Sequence, residues 1–183
     1  MNPVTGKKNI LGVSFDLTEK VTLETNLRVE RTINENHTLL NIAGRQRMLS
    51  QKIGFYCEAL VRGKKQHANL LRDAIELHEH SMQIIRYGGM PMGIHCDRPL
   101  KPLAPELVSS MNNIQNIWEA YKTAAENILY FTYSDRSPLL SSKAETEKNI
   151  DLIESFGEKL LSANNDLIEA HTAYTQEKLA RAV

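Results

Sequence analysis

The strongest constraint on the fold is a helical pattern that runs without proline from about residue 18 to residue 62. A helix this long gains most of its stability from packing against partners, not from its intrinsic propensity. The pattern therefore predicts a signalling helix or coiled coil that continues into a bundle. Gly63, followed by two lysines, is the expected C-terminal stop.

Three further helical segments are predicted. The second covers about residues 65–87 and ends at Gly88-Gly89. After a loop at 90–103 with three prolines, Pro105 opens the third, which covers about 104–133. A turn at 134–138 precedes the fourth, which runs to about 181, with Ser142 and Glu145 as its capping box. We predict an all-α fold, an antiparallel up-down-up-down four-helix bundle with long first and last helices.

Composition excludes several classes of function. The 22 basic residues balance 22 acidic ones, so the chain has no net positive charge that would attract nucleic acid. No run of about 18 apolar residues is present, and we expect no membrane-spanning segment in this sequence. No nucleophile–base pair or acid pair can be placed from the pattern, so we expect neither an enzyme nor a cofactor.

The first helix has two distinct faces when it is wound at about 100° per residue. One face is an ordinary core stripe, formed by Leu39, Ile42, Leu49, Ile53 and Leu60, with Cys57 at its edge. The opposite face, which we call the Gly44 face, contains Leu40, Gly44, Arg47, Met48, Gln51 and Phe55. A surface helix needs only one apolar stripe, so the Gly44 face indicates a second partner.

Gly44 and Arg47 suggest what that partner is. A glycine inside a helix costs roughly 0.8–1 kcal/mol relative to alanine, so it often marks a close approach. Arg45 points about 160° away from Arg47 and does not share this face. If the face meets its own copy across a two-fold axis, two Arg47 side chains converge and repel unless a planar oxyanion bridges them. The prediction is a symmetric small-anion site in a homodimer.

Metal and redox sites are weaker alternatives. Glu76, Glu79 and two histidines, His78 and His80, lie close in sequence, but the histidines are two residues apart and point to different faces. His95-Cys96, in the proline-containing loop, offers soft ligands for a metal, for haem iron or for oxidation sensing.

Residues 10–16 alternate in a way that predicts a short strand. The stretch from Leu11 to Lys20, LGVSFDLTEK, resembles the end of a PAS sensor domain, whose last strand closes on Asp-x-Thr-Glu before a signalling helix. The resemblance implies that residues 1–17 are a PAS-like tail or linker and that residues 18–183 form the helical sensor domain.

The motif IAGRQRMLSQ at residues 42–51 closely resembles the N-terminal sensor domain of type IV pilus chemotaxis transducers, the PilJ type. It is also similar to the corresponding box of nitrate/nitrite sensor kinases of the NarX type. Members of these families are dimeric four-helix sensors, and in the nitrate sensors the residues matching Gly44 and Arg47 hold nitrate at the dimer interface. The resemblance implies a ligand site formed by Gly44, Arg47, Met48 and Gln51.

These observations lead to one expectation and one main rival. We expect a bacterial sensor domain that binds nitrate or nitrite between two chains and signals to an output domain of the same protein. The rival is a ligand-free helical relay in which Arg47 is either buried against a carboxylate of the partner chain, such as Glu58, or left in contact with water. The family resemblance implies a periplasmic location, whereas the absent membrane helices and the PAS-like tail favour a cytoplasmic one, which we expect.

Overall fold

A computed structural model describes the backbone of residues 5–133 and 140–181, and the side chains of residues 19–132 and 143–181. These residues form four α-helices: α1 (Thr5–Val61), α2 (Ala68–Tyr87), α3 (Val108–Tyr133) and α4 (Leu140–Ala180). Single 3-10 turns at Lys65–His67 and Pro105–Leu107 precede α2 and α3. The predicted all-α class is confirmed. The predicted turn at 134–138 lies outside the described residues.

The first helix begins earlier than its sequence pattern indicated. Residues 10–16, which were expected to form a strand, belong to α1. That expectation is wrong, because a lone strand leaves its backbone N–H and C=O groups without partners, whereas a helix satisfies them internally. The assignment of residues 1–17 to a PAS-like tail stays a prediction.

Glycines end the first two helices, as predicted. Gly63 has φ +82°, and the amides of Gly63 and Lys64 donate to the carbonyls of Leu60 and Ala59. Gly88 has φ +79°, and a Cβ placed on it would lie 2.5 Å from the carbonyl oxygen of Leu100. Any side chain at residue 88 would therefore collide with the backbone of the loop that follows.

The start of the fourth helix differs from the prediction. α4 begins at Leu140, two residues before Ser142, so Ser142 lies within the helix and is not its N-cap. Capping signatures locate a helix start only to within a residue or two. Pro105 does open the third helical segment, as the first residue of its 3-10 turn.

The core lies where the helical spacing placed it. All six residues of the predicted α1 stripe are buried: Leu39, Ile42, Leu49, Ile53, Cys57 and Leu60. Trp118 and Tyr121, both from α3, are the largest fully buried side chains among the described residues. Leu70, at the edge of the apolar side of α2, is 45% exposed.

The proline-containing loop closes over one end of α2. Gly89 and Leu100 exchange two backbone hydrogen bonds, with N···O distances of 3.0 and 2.9 Å. The Leu103 amide also donates to the Arg86 carbonyl at 3.2 Å. No helix in the described part of the chain has the length and hydropathy that crossing a lipid bilayer requires.

Candidate functional site

The Gly44 face points away from the rest of the chain. Because the opposite stripe of α1 is buried, all six residues of this face are exposed to solvent. They include three large apolar side chains, Leu40 at 37%, Met48 at 43% and Phe55 at 58% exposure. Within the described residues, the Phe55 ring lies 5.8 Å from the His67 ring at one end of the face, and most of the face is in contact with solvent.

Gly44 has no structural purpose within the described chain. A Cβ built on this residue would meet no atom within 4 Å, and its backbone is not in the positive-φ region. Alanine would fit and would favour the helix by roughly 0.8–1 kcal/mol. No described part of the chain uses the space that this glycine leaves, and the helix–helix contact at Gly44 stays a prediction.

Arg47 is exposed and forms one hydrogen bond, from its Nη2 atom to Asn165 Oδ1 on α4. Asn165 is a neutral amide, and no described carboxylate lies within ion-pair distance of Arg47. Its positive charge is therefore not balanced by a neighbouring side chain. The contact with Asn165 was not predicted, since nothing in the sequence relates residues 118 positions apart.

Gln51 and Met48 complete the predicted site. Both are exposed, and the Gln51 side chain makes no hydrogen bond to a described residue. Gly44, Arg47, Met48 and Gln51 thus share one exposed face of one helix. Which ligand or partner they contact stays a prediction.

Arg45 lies apart from this site, as the facial analysis predicted, and has a role that was missed. Its Nη2 atom donates to Ser81 Oγ at 3.0 Å, and its Nη1 atom donates to the Met92 carbonyl. Partial burial lowers the pKa of the guanidinium from its ordinary value. Arg45 therefore joins α1 to α2 and to the proline-containing loop.

A row of buried polar groups, also missed, runs through the core beside Arg45. Gln46 and Ser50 lie within the α1 core stripe, and the Ser50 hydroxyl donates to the Gln46 carbonyl at 2.9 Å. Ser50 Oγ also lies 3.4 Å from His78 Nε2, and the Tyr121 hydroxyl donates to the Ser50 carbonyl at 2.6 Å. The spacing of residues 42, 46, 49 and 53 would have revealed Gln46 as a core position.

His78 is the most strongly perturbed titratable group of that row. Its ring stacks on the Trp118 indole, with ring centroids 3.9 Å apart. Desolvation by burial lowers the pKa of His78 to about 3, so the imidazole is neutral at pH 7. His80 lies two residues along α2, and Glu79 forms an ion pair with Lys122 at 2.9 Å.

The His95-Cys96 loop is open to solvent. The His95 side chain is 97% exposed, and its Nε2 atom lies 3.6 Å from Asp97 Oδ1. Both cysteines are free thiols. Among the described residues, no group of three or more His, Cys, Asp or Glu side chains is arranged to hold a metal ion.

Comparison with known proteins gives one family. A family model described as the PilJ, type IV pili methyl-accepting chemotaxis transducer N-terminal domain matches residues 31–136, more than half of the chain. The matched region contains the Gly44 face, α2, the proline-containing loop and α3. No curated protein and no solved structure matches the chain.

Proposed function

Because the chain belongs to the PilJ family of type IV pili methyl-accepting chemotaxis transducer N-terminal domains, we propose that it senses a small oxyanion, nitrate or nitrite, at a homodimer interface. The observation that carries the proposal is the exposed Gly44 face, where Arg47 has no carboxylate partner among the described residues. Family membership supports a sensor or transducer domain of a chemotaxis-type signalling protein. The anion and the dimer are the parts we add.

The dimer explains the apolar part of the Gly44 face. Ile33, Leu40, Met48 and Phe55 lie along one side of α1 and are 41%, 37%, 43% and 58% exposed. A second copy laid along the same stripe would remove this apolar surface from water. Gly44, in the middle of the stripe, would let the two backbones approach closely.

The anion explains the charged part of the Gly44 face. Two-fold symmetry would bring one Arg47 from each chain to the axis, where two unbalanced guanidinium groups repel. A planar oxyanion accepts bidentate hydrogen bonds from both groups and removes the repulsion. Gln51, one helical turn along the same face, supplies an uncommitted amide beside them.

The arrangement of the helices that we propose is the up-down-up-down antiparallel bundle. Contacts between successive helices support it. As the residue number rises along one helix, the number of the residue it contacts on the next helix falls, as it does for antiparallel neighbours. The supporting pairs are Arg45–Ser81 and Ser50–His78 for α1 and α2, Glu79–Lys122 and Arg86–Gln115 for α2 and α3, and Tyr121–Gly157 and Asn127–Asn149 for α3 and α4. We also propose residues 1–17 as a PAS-like linker before a sensor domain at 18–183.

Signal transfer follows from the contact between Arg47 and Asn165. An anion that binds the Arg47 guanidinium competes for the Nη2 donor that now bonds to Asn165 on α4. Ligand binding would thus favour one relative position of α1 and α4 by differential contact, which is sufficient for a two-state switch. An output domain of the same protein would receive that shift.

The decisive experiment is isothermal titration of the protein with sodium nitrate. We expect the wild type to bind one nitrate ion for each pair of chains and Arg47→Ala to lose the binding heat. Arg72→Ala is a matched control, because Arg72 is also exposed and also donates to an asparagine side chain, that of Asn69. It should bind as the wild type does. Equal heats in wild type and Arg47→Ala would refute the anion site.

The ligand-free relay is a second candidate, because the contact with Asn165 already uses one of the hydrogen-bond donors of the Arg47 guanidinium. Glu58, the partner named for it, pairs within the same chain with Arg62, the first residue after α1, at 2.9 Å. A stable dimer that gives no heat with nitrate or nitrite would favour the relay over the sensor.

A further inference from the structure

A cavity of about 420 Å³ lies between the middle of α1, the C-terminal part of α4 and the end of the proline-containing loop. Glu35, on its wall, precedes Gly44 by nine residues, which places it about 180° away around the helix. The cavity is therefore on the opposite side of α1 from the proposed dimer contact. Its volume is in the usual range for small-molecule sites.

The charges around this cavity are mainly positive. Arg28, Arg31 and Lys178 line it, and no described carboxylate lies within ion-pair distance of any of them. Lys101 and Glu35 also line it, but they balance one another with an Nζ···Oε1 distance of 2.6 Å. Three uncompensated cations around one cavity favour an anionic ligand.

Neutral hydrogen-bonding groups line the cavity between those cations. His171 Nδ1 lies 3.0 Å from Asn36 Oδ1, and the buried Thr175 hydroxyl is 3.5 Å from the same nitrogen. Desolvation lowers the pKa of His171, against the opposing effect of the Glu35 charge. His171 therefore contributes a neutral polar group that orients a ligand, while Arg28, Arg31 and Lys178 supply the charge.

The remaining wall is apolar. Val29, Tyr174 and Leu179 line the cavity and are partly exposed, and Lys178 Nζ lies 5.3 Å from the Tyr174 ring centroid. A small inorganic anion would leave this apolar surface in contact with water. An organic anion would cover it and would bury apolar surface of its own.

We propose that this cavity is a binding site for a small organic carboxylate. The carboxylate group or groups pair with Arg28, Arg31 and Lys178, and the carbon skeleton packs on Val29, Tyr174 and Leu179. Such a ligand joins α1 to α4 directly, since Arg28 and Arg31 belong to the first helix and Lys178 to the last. The site shares no residue with the Gly44 face and does not depend on the proposed nitrate site.

The test uses citrate and benzoate as probes, in isothermal titrations of the full chain. Citrate tests the cluster of cations, and benzoate tests a single carboxylate with an apolar ring. We expect at least one of them to bind with a Kd below about 1 mM. The double variant Arg28→Gln/Arg31→Gln should weaken that binding by about tenfold or more. The matched control Arg62→Gln/Arg72→Gln removes two exposed arginines elsewhere and should leave it unchanged.

A second variant tests the cavity without changing its charge. Thr32 lines the cavity, and its hydroxyl bonds only to the Arg28 carbonyl within its own helix. Thr32→Phe should fill part of the cavity and lower the affinity for the probe by a similar factor. Arg47→Ala should bind the probe as the wild type does, which separates this site from the nitrate site.

Three results would overturn the proposal. One is the absence of binding heat with either probe up to about 10 mM. Another is equal probe affinity in the cavity double variant and its matched control. The third is inorganic phosphate binding as tightly as the better organic probe, because the apolar wall would then contribute nothing.

Discussion

At the scale of single residues, His78 shows how the core sets the chemistry of its side chains. The imidazole is fully buried between Ser50 and Trp118, and its Nδ1 atom has no hydrogen-bond partner among the described residues. A charged imidazole there would lose its hydration without gaining an anionic partner. The folded protein therefore holds His78 neutral.

This burial predicts a loss of stability in acid. The folded-state pKa of about 3 lies below the ordinary value of 6.5, so the unfolded chain binds the proton more readily. Stability from this group is complete above the unfolded pKa and falls as the pH drops from there towards 3. We expect the free energy of unfolding to decrease by about 2 kcal/mol between pH 6.5 and pH 4.5 because of His78. Urea titrations at several pH values measure it.

The variant His78→Phe separates this effect from the titration of carboxylates. Phenylalanine retains a ring to stack on Trp118 but cannot take up a proton. The unfolding free energy of this variant should depend less steeply on pH over the same interval. A variant whose pH dependence is as steep as that of the wild type would contradict the assignment.

The two arginines of the motif have different neighbours although they are two residues apart. Arg45 is half-buried and bonds to Ser81 and Met92, whereas Arg47 is exposed and bonds to one exposed asparagine. Arg45 therefore stabilises the fold through its two contacts. Most of the hydrogen-bond donors of Arg47 are not used within the described residues.

At the scale of elements, Arg45 connects the proline-containing loop to the helices, and this predicts the effect of removing it. Arg45→Ala deletes two hydrogen bonds from a charged donor and should lower the free energy of unfolding by about 2 kcal/mol. Because the loop loses an anchor at Met92, endoproteinase Asp-N should also cut it faster, on the N-terminal side of Asp97. Urea unfolding and limited proteolysis measure the two effects.

Arg47→Ala is the control for both measurements. Its exposed side chain should change the unfolding free energy by less than about 0.5 kcal/mol, and it does not contact the loop. If the two variants were equally stable and equally resistant to Asp-N cleavage at the loop, Arg45 would not anchor the loop.

At the scale of the whole molecule, the Gly44 face predicts how the chain assembles. Met48→Glu and Phe55→Glu place a charge where the proposed two-fold contact is apolar. We expect both variants to sediment as monomers at concentrations where the wild type is a dimer, because two copies of the same charge would meet across the axis. Sedimentation velocity measures the change, and circular dichroism should show that the helices remain.

Leu70→Glu is the matched control for this experiment. Leu70 is 45% exposed, close to the 43% of Met48, but lies on α2 outside the Gly44 face. It should leave the dimer intact. A dimer that survives both substitutions on the face, or dissociates equally with Leu70→Glu, would contradict the proposed interface.

Most of the fold could be predicted from the sequence because of its helical periodicity. A repeat of 3.6 residues relates positions on one helix to one another, so the burial of Leu39, Ile42, Leu49 and Ile53 followed without knowledge of their partners. It also separated Arg45 from Arg47. The same reasoning failed at residues 10–16, because a seven-residue alternation is too short to distinguish a strand from part of a helix.

The sequence alone therefore determined the helical class, the core stripe of α1, the glycine stops at Gly63 and Gly88, and the outward direction of the Gly44 face, all of which depend on local spacing. Only the tertiary structure decided that Arg45 reaches Met92, that Arg47 reaches Asn165, and that Arg28, Arg31 and Lys178 surround one cavity. These contacts join segments far apart in the chain. Their geometry depends on how the helices pack, which no periodicity within one helix specifies.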